Sequence, residues 1–303
     1  MLKLKKGDTV GIASPSHIAT PQAYAPVYEG LQKMGLNVKI APHLYAHGWG
    51  YAASDTERAD DINTLVRDDD VDMIFFGGGE GADEILNLID YDAVRAHPKM
   101  WLSFSDGTSV LNAVQNHTGL IVLYGQTPWH CLEEQGYNRD MFNRFVFEGG
   151  APRHIPNTAW RTIRPGCAEG TLTGGYLDNY VYLALSGWVE PEPGRDYILI
   201  LEDHEQFFGI EHVSDLLSRL CSAPIMRQVR GILFGCYSDE EKPYLDQCLA
   251  RLGERLNIPV AACRDFGHGR YAAIFPLGER AVLDTVHLTM EYPDYIKEGT
   301  VMP

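Results

Sequence analysis

The sequence predicts an α/β protein, with a doubly wound parallel sheet in its N-terminal half and a second, mixed α/β domain after it. Two observations carry this. From Asp8 to Tyr124 short apolar runs alternate with amphipathic stretches, a spacing that builds a parallel sheet covered by helices on both faces. Between about Glu148 and Pro165 the pattern gives way to turn residues without a period (Gly-Gly-Ala-Pro-Arg-His-Ile-Pro-Asn-Thr), and strand and helix signals then resume. The expected organisation is a first domain over 1–150, a linker over 151–165 and a second domain over 166–303. At 303 residues either half can bury a full core.

Each element has its own signal. Asp8 to Ala13 is a buried-type strand ending in the Ser14-Pro15-Ser16 turn. Thr20-Pro21 opens a helix with a cap followed by proline, and Gly35 closes it. Val38 to Ala41 is the second strand, and Ser54-Asp-Thr-Glu57 is a capping box for a helix toward Arg67. Val71 to Phe76 is the third strand, followed by the glycine loop Gly77 to Gly81 and a helix through Ile85, Leu86 and Leu88. Met100 to Phe104 is the fourth strand and Leu120 to Tyr124 the fifth. In the second half Tyr180 to Leu185 and Val213 to Leu220 are helical, as is Leu245 to Leu256. Strands are expected at Tyr197 to Glu202, Val229 to Cys236 and Pro259 to Cys263.

Three stretches carry chemistry. Met100-Trp-Leu-Ser-Phe-Ser105-Asp-Gly-Thr108 reads as a strand breaking sharply into a helix that starts near Gly107. Such a turn lifts its central side chain to the top of a sheet beside a helix N-terminus, the geometry of a nucleophile elbow. Ser103 and Gly107 meet its demand for small neighbours. A plain helix cap by Ser105-Asp106 is the alternative reading. Second, the apolar strand Tyr197 to Leu201 runs straight into Glu202-Asp-His-Glu205, where a carboxylate is well placed to orient a histidine, although acids are common wherever strands reach the surface. Third, His268 sits between Gly267 and Gly269, so little bulk shields its ring.

Together these supply a nucleophile, Ser105, an orienting acid, Glu202, and a base, His268. The oxyanion donors expected are the Asp106 N–H and an N–H of Gly78 or Gly79. Trp129 and His130, after the fifth strand, and Tyr176, with Asp178 near it, are candidates for lining a substrate cleft, since ligands in such sheets bind beyond the strands' carboxyl ends.

Composition excludes other classes. With 41 acidic and 25 basic residues the formal charge is −16, which argues against nucleic acid or an anionic membrane as partner. The six cysteines form no CxxC pair and read as reduced thiols. The N-terminus lacks an apolar signal core and no run is long enough to span a bilayer, so a cytoplasmic setting is expected. The histidines are dispersed, with no metal-ligand spacing. Gly77-Gly-Gly79-Glu-Gly-Ala82 fits G-x-G-x-x-A, but that dinucleotide fingerprint belongs after a sheet's first strand rather than its third, and no cofactor is expected.

The chain also resembles the LD-carboxypeptidases, or muramoyltetrapeptide carboxypeptidases, and their relatives the microcin C self-immunity peptidases. The likeness runs over nearly the whole length. It is carried by Gly7-Asp-Thr-Val-Gly-Ile-Ala-Ser-Pro-Ser16, Ala53-Ser-Asp-Thr-Glu-Arg-Ala-Asp-Asp-Ile62 and the Gly77 to Gly81 loop. Pro98-Lys-Met-Trp-Leu-Ser-Phe-Ser-Asp106, Gly170-Thr-Leu-Thr-Gly-Gly175, Ile200-Leu-Glu-Asp203, Gly267-His268 and Phe275-Pro-Leu-Gly278 continue it. The resemblance implies a serine peptidase with a Ser-Glu-His triad across two domains, cleaving an L,D peptide bond to release a terminal D-alanine. It implies a first domain like that of class I glutamine amidotransferases, a swivelling β/β/α second domain, a homodimer, and a murein fragment or other small peptide as substrate. Carried over by position, Ser105 is the nucleophile, Glu202 the acid, in preference to Glu205, and His268 the base. The family usually has Gly at position 103 and Ile at 107. At Gly77 the murein-recycling members carry an arginine that could grip a carboxylate.

Overall fold

The strands follow the alternation read from the sequence. In chain order they are β1 Thr9–Ala13, β2 Asn37–Ile40, β3 Met73–Phe76, β4 Met100–Ser103, β5 Val122–Tyr124, β6 Arg161–Arg164, β7 Cys167–Tyr176, β8 Tyr197–Glu202, β9 Val229–Gly235, β10 Val260–Cys263, β11 Phe275–Leu277, β12 Arg280–Asp284 and β13 Thr289–Glu291. The helices are α1 Pro21–Lys33, α2 Asp55–Arg67, α3 Tyr91–Ala96, α4 Thr108–Thr118, α5 Tyr137–Phe142, α6 Leu177–Ser186, α7 Ile210–Leu220 and α8 Pro243–Leu256. This is a computed structural model, and it describes residues 2–17, 19–133, 135–204, 209–237 and 243–295.

The chain divides into two units: 1–149 with 272–277, and 150–271 with 278–303. In the first unit the sheet runs β2-β1-β3-β4-β5, all parallel, closed at one edge by antiparallel β11. That order is a doubly wound one, with its reversal between β1 and β3. β3 and β4 are buried throughout, as strands covered on both faces must be. The caps read from the sequence are present: Thr20 Oγ1 accepts the Ala23 N–H, and both halves of the Ser54/Glu57 capping box form.

In the second unit a sheet of mixed direction runs β13-β12-β7-β8-β9-β10-β6. Its centre, β7 to β10, is parallel, and β6, β12 and β13 pair antiparallel at the edges. Every residue of β8 is buried. Its four aliphatic side chains each contribute about 1.5–3 kcal/mol.

The structure departs from the sequence reading in three places. The end of the expected linker is strand β6, stabilised by pairing with β10 nearly a hundred residues on, which no local pattern announces. Residues 272–277, expected in the second domain, pair with β5 as β11. The helix after the glycine loop is a 3₁₀ segment, Ala82–Leu88, entered from left-handed Gly81 without a side-chain cap. Among the described residues no helix is long and apolar enough to cross a membrane.

Candidate active site

Ser105 stands where β4 turns toward α4. Phe104 is still extended (φ −155°, ψ 164°), Ser105–Gly107 form one 3₁₀ turn, and α4 begins at Thr108. Ser105 has φ +58°, in the left-handed region, where an L residue costs about 1–2 kcal/mol. From Lys99 to Val114 it is the one residue that is not buried. A strained residue left open in an otherwise buried run is what a tight strand-to-helix elbow produces. The need for small neighbours is visible: a Cβ on Gly107 would lie 2.0 Å from Ser103 Oγ. Ser103 in turn donates to the Phe76 carbonyl at 3.0 Å, and the Ser105 N–H donates to Tyr124 Oη at 3.4 Å.

The residue at the N-cap of α4 is Gly107, which makes no side-chain cap, and the Asp106 carboxylate accepts the Ala82 N–H at 2.8 Å. That bond also speaks against a dinucleotide at this loop. The first N–H of the following turn, which would face a phosphate, is already given to an anion.

The glycine loop passes directly over Ser105. A Cβ on Gly78 would lie 2.7 Å from Ser105 Cβ and 3.2 Å from its Oγ. Gly79 has φ +151°, and a Cβ there would lie 2.3 Å from the Ser16 carbonyl oxygen, which accepts the Glu80 N–H at 2.9 Å. The loop is thus bare backbone wedged between two other chain segments. Among the described residues no acceptor meets the N–H of Gly78 or Gly79.

Gly77 is roofed by side chains: a Cβ there would meet Trp129 Cζ3 at 3.0 Å and His17 Cε1 at 3.2 Å. Trp129 stands edge-on to Tyr24, centroids 4.7 Å apart. His17 Nδ1 pairs with Ser14 Oγ at 3.0 Å and its Nε2 with Tyr24 Oη at 3.1 Å. Burial lowers the His17 pKa below the ordinary histidine value, against a hydrogen bond at the Gly78 backbone that acts the other way. His130, a candidate lining residue, closes its own turn, its Nδ1 accepting the Thr127 N–H at 3.0 Å.

In the second unit Glu202 ends β8, wholly buried, with Oε2 2.7 Å from His268 Nδ1. A neutral ring that donates Nδ1–H to Glu202 carries its lone pair on Nε2. Gly267 makes this approach possible: its φ is +109°, and a Cβ would crowd Glu202 Oε2 at 3.3 Å. Tyr176 stands edge-on to the His268 ring at 4.9 Å. His204 lies 4.4 Å from His268 on another side and stacks on Tyr237. Burial, and then the charge of His268, hold His204 below the ordinary range. Asp178 Oδ2 lies 3.7 Å from His212 Nε2. Glu205 lies outside the described residues.

One anchor was not read from the sequence. Asp265, fully buried, takes four donors: the N–H groups of Asn157 (3.2 Å) and Thr158 (2.7 Å) on Oδ1, and Trp160 Nε1 (2.8 Å) and His154 Nε2 (3.2 Å) on Oδ2. Burial pushes its carboxyl up, but these hydrogen bonds outweigh it and hold the pKa below the ordinary value. It begins the Asp-Phe-Gly-His loop and so fixes the backbone that carries His268. Among the described residues no three His, Cys, Asp or Glu side chains converge to hold a metal ion.

Residues 10–125 match the LD-carboxypeptidase N-terminal domain and residues 169–283 the LD-carboxypeptidase C-terminal domain. The chain belongs to the LD-carboxypeptidase family. As a member it is a serine-type carboxypeptidase, a hydrolase. The chain is 27% identical to a probable murein peptide carboxypeptidase of Bacillus subtilis, over 98% of this chain and 95% of that one. It is 26% identical to the microcin C7 self-immunity protein of Escherichia coli, over 95% of each chain. In structure it is similar to an immunity-like protein from Bacillus anthracis, with TM-score 0.84 and 23% identity over 96% of this chain and 98% of that one, a likeness of fold. The self-immunity protein solved with aspartyl sulfamoyl adenosine superposes with TM-score 0.82 at 25% identity, over 97% of this chain and 98% of that one.

Proposed function

We propose that the chain is a serine LD-carboxypeptidase that releases the terminal D-alanine of a murein L,D-tetrapeptide through an acyl-enzyme. The observation that carries this reading is Ser105, held at positive φ and partly exposed within an otherwise buried strand-turn-helix run. In the proposed reaction Ser105 Oγ attacks the acyl carbon while its proton passes to His268 Nε2, and Glu202 holds the ring's tautomer and stabilises the imidazolium. The N–H groups of Asp106 and of Gly78 or Gly79 receive the oxyanion. Collapse expels the amine, which takes the proton from His268. Water, deprotonated by the same ring, then cleaves the acyl-serine and regenerates the hydroxyl. Trp129 and Tyr176 line the cleft, and His130 shapes it through its turn.

With this reading go the amidotransferase-like and swivelling character of the two domains, a homodimer, a cytoplasmic setting and a place in peptidoglycan recycling. The sheet order β2-β1-β3-β4-β5 is consistent with the first of these. A second reading, an immunity-type amidase acting on another peptide or aminoacyl conjugate, is favoured by one feature. Gly77 has no side chain to grip a carboxylate, and Trp129 and His17 occupy the space above it. The test is D-alanine release from the purified tetrapeptide. Release abolished in Ser105→Ala and His268→Ala supports the carboxypeptidase, and cleavage of an aminoacyl sulfamoyl nucleoside but no tetrapeptide favours the amidase.

A further inference from the structure

Arg58 directly follows the Ser54/Glu57 capping box in the first turns of α2, and its side chain is 1% exposed. Its guanidinium reaches two loops at once. Nη1 donates to the Pro15 carbonyl at 2.5 Å and to the Gly81 carbonyl at 2.9 Å, and Nη2 pairs with Glu84 just beyond the glycine loop. The first loop follows β1 and the second follows β3, the pair of strands at which the sheet order reverses. Glu84 is held from outside as well, by Tyr51 Oη at 2.5 Å. The Asp106 carboxylate in turn takes the Ala82 N–H. The glycine loop is therefore clamped at its far end, between a buried cation and the anion that follows Ser105.

Burying a guanidinium is expensive unless its donors are satisfied. A fold that needed only to fill this space would do so with an apolar side chain. What the arginine adds is a fixed distance between two loops that otherwise meet through backbone, Gly79 packed against Ser16 and the Glu80 N–H on the Ser16 carbonyl, while Gly78 of the second loop packs on Ser105. We propose that Arg58 is a positioning residue for the hydrolysis, its guanidinium tying the 14–17 and 77–81 loops together so that the Gly78 and Gly79 N–H groups keep their register over Ser105. The inference rests on the reading of Ser105 as nucleophile and of those N–H groups as oxyanion donors. A misplacement of about 1 Å at such donors costs on the order of 10²-fold in rate.

The test uses the full chain and a fluorophosphonate probe, whose phosphoryl oxygen gains charge as the serine attacks. Labelling of Ser105 is followed by intact mass to give kinact and KI for the wild type, Arg58→Lys, Arg58→Met and, as a control on the same helix, Arg67→Met. Circular dichroism at the assay temperature establishes that each variant is folded. Arg58→Lys keeps the charge but cannot span both carbonyls, and Arg58→Met fills the space without the charge, so either variant that is folded tests the span. The expected result is a 10- to 100-fold fall in kinact for Arg58→Lys with KI within about twofold, and wild-type values for Arg67→Met. A folded Arg58→Lys that labels at the wild-type kinact overturns the proposal. A wild-type chain that is never labelled at Ser105 overturns the serine reading beneath it, and the two failures are told apart by that first measurement.

Discussion

Glu202 Oε2 lies 2.7 Å from His268 Nδ1, and the carboxyl that makes this contact is wholly buried at the end of β8. A buried acid whose partner is an imidazole fixes one tautomer of the ring, and a neutral amide in its place fixes the other. Glu202→Gln is therefore expected to lower kcat for D-alanine release by about 10³–10⁴-fold with little change in KM. Steady-state kinetics on the tetrapeptide, beside a urea midpoint for each protein, check this.

Strain at Ser105 gives a prediction independent of substrate. Both Ser105→Ala and Ser105→Gly remove the hydroxyl and are expected to be inactive. Only glycine relieves the left-handed backbone at φ +58°. Ser105→Gly should be more stable than Ser105→Ala by about 1 kcal/mol in urea denaturation. Equal stability would mean that the turn relaxes when the side chain is lost.

Asp265 links the His268 loop to acid stability. Its hydrogen bonds hold the folded carboxyl below the ordinary value of 3.8. A depressed acid contributes stability that is fully present above the unfolded pKa and is lost as pH falls through the folded one. Between about pH 5 and pH 2 the wild type should lose stability more steeply than Asp265→Asn, which has no carboxylate to protonate. At pH 7 Asp265→Asn should be the less stable protein, because an amide cannot accept from four donors without turning its own N–H groups against them. Urea midpoints across the pH series measure both.

The roof over Gly77 predicts how the site answers an arginine. A Cβ at Gly77 already meets Trp129 Cζ3 at 3.0 Å and His17 Cε1 at 3.2 Å. Gly77→Arg alone should therefore destabilise the chain by about 1–3 kcal/mol without improving KM for a carboxylate-bearing peptide. Gly77→Arg combined with Trp129→Ala should recover stability relative to Gly77→Arg. Thermal melts of the single and double variants separate these outcomes.

What the chain shows on its face and what it hides divide along physical lines. β1, β3, β4 and β8 were legible because each is a short apolar run closed by turn residues, and the Ser105 elbow because its small neighbours are local. Glu202 was visible as the acid at which an apolar strand stops, and His268 through the glycines beside it. β6 was not legible, nor was the pairing of β11 with β5, because both depend on strands distant in sequence. Asp265 and Arg58 read as ordinary polar residues, since their burial depends on loops that reach them from elsewhere in the chain. The Gly77 to Gly81 loop was seen, but its close contact with Ser105 and Ser16 is a property of backbone packing that no residue pattern states.

The central claim is that Ser105 is a nucleophile activated by His268. The measurement that bears on it most directly is the site and rate of covalent capture by a fluorophosphonate, read by peptide mass mapping of the wild type and of His268→Ala. The account predicts a single adduct on the peptide containing Ser105, formed at least about 10²-fold more slowly in His268→Ala. An adduct on another serine, or capture at Ser105 that proceeds equally fast without His268, would contradict it.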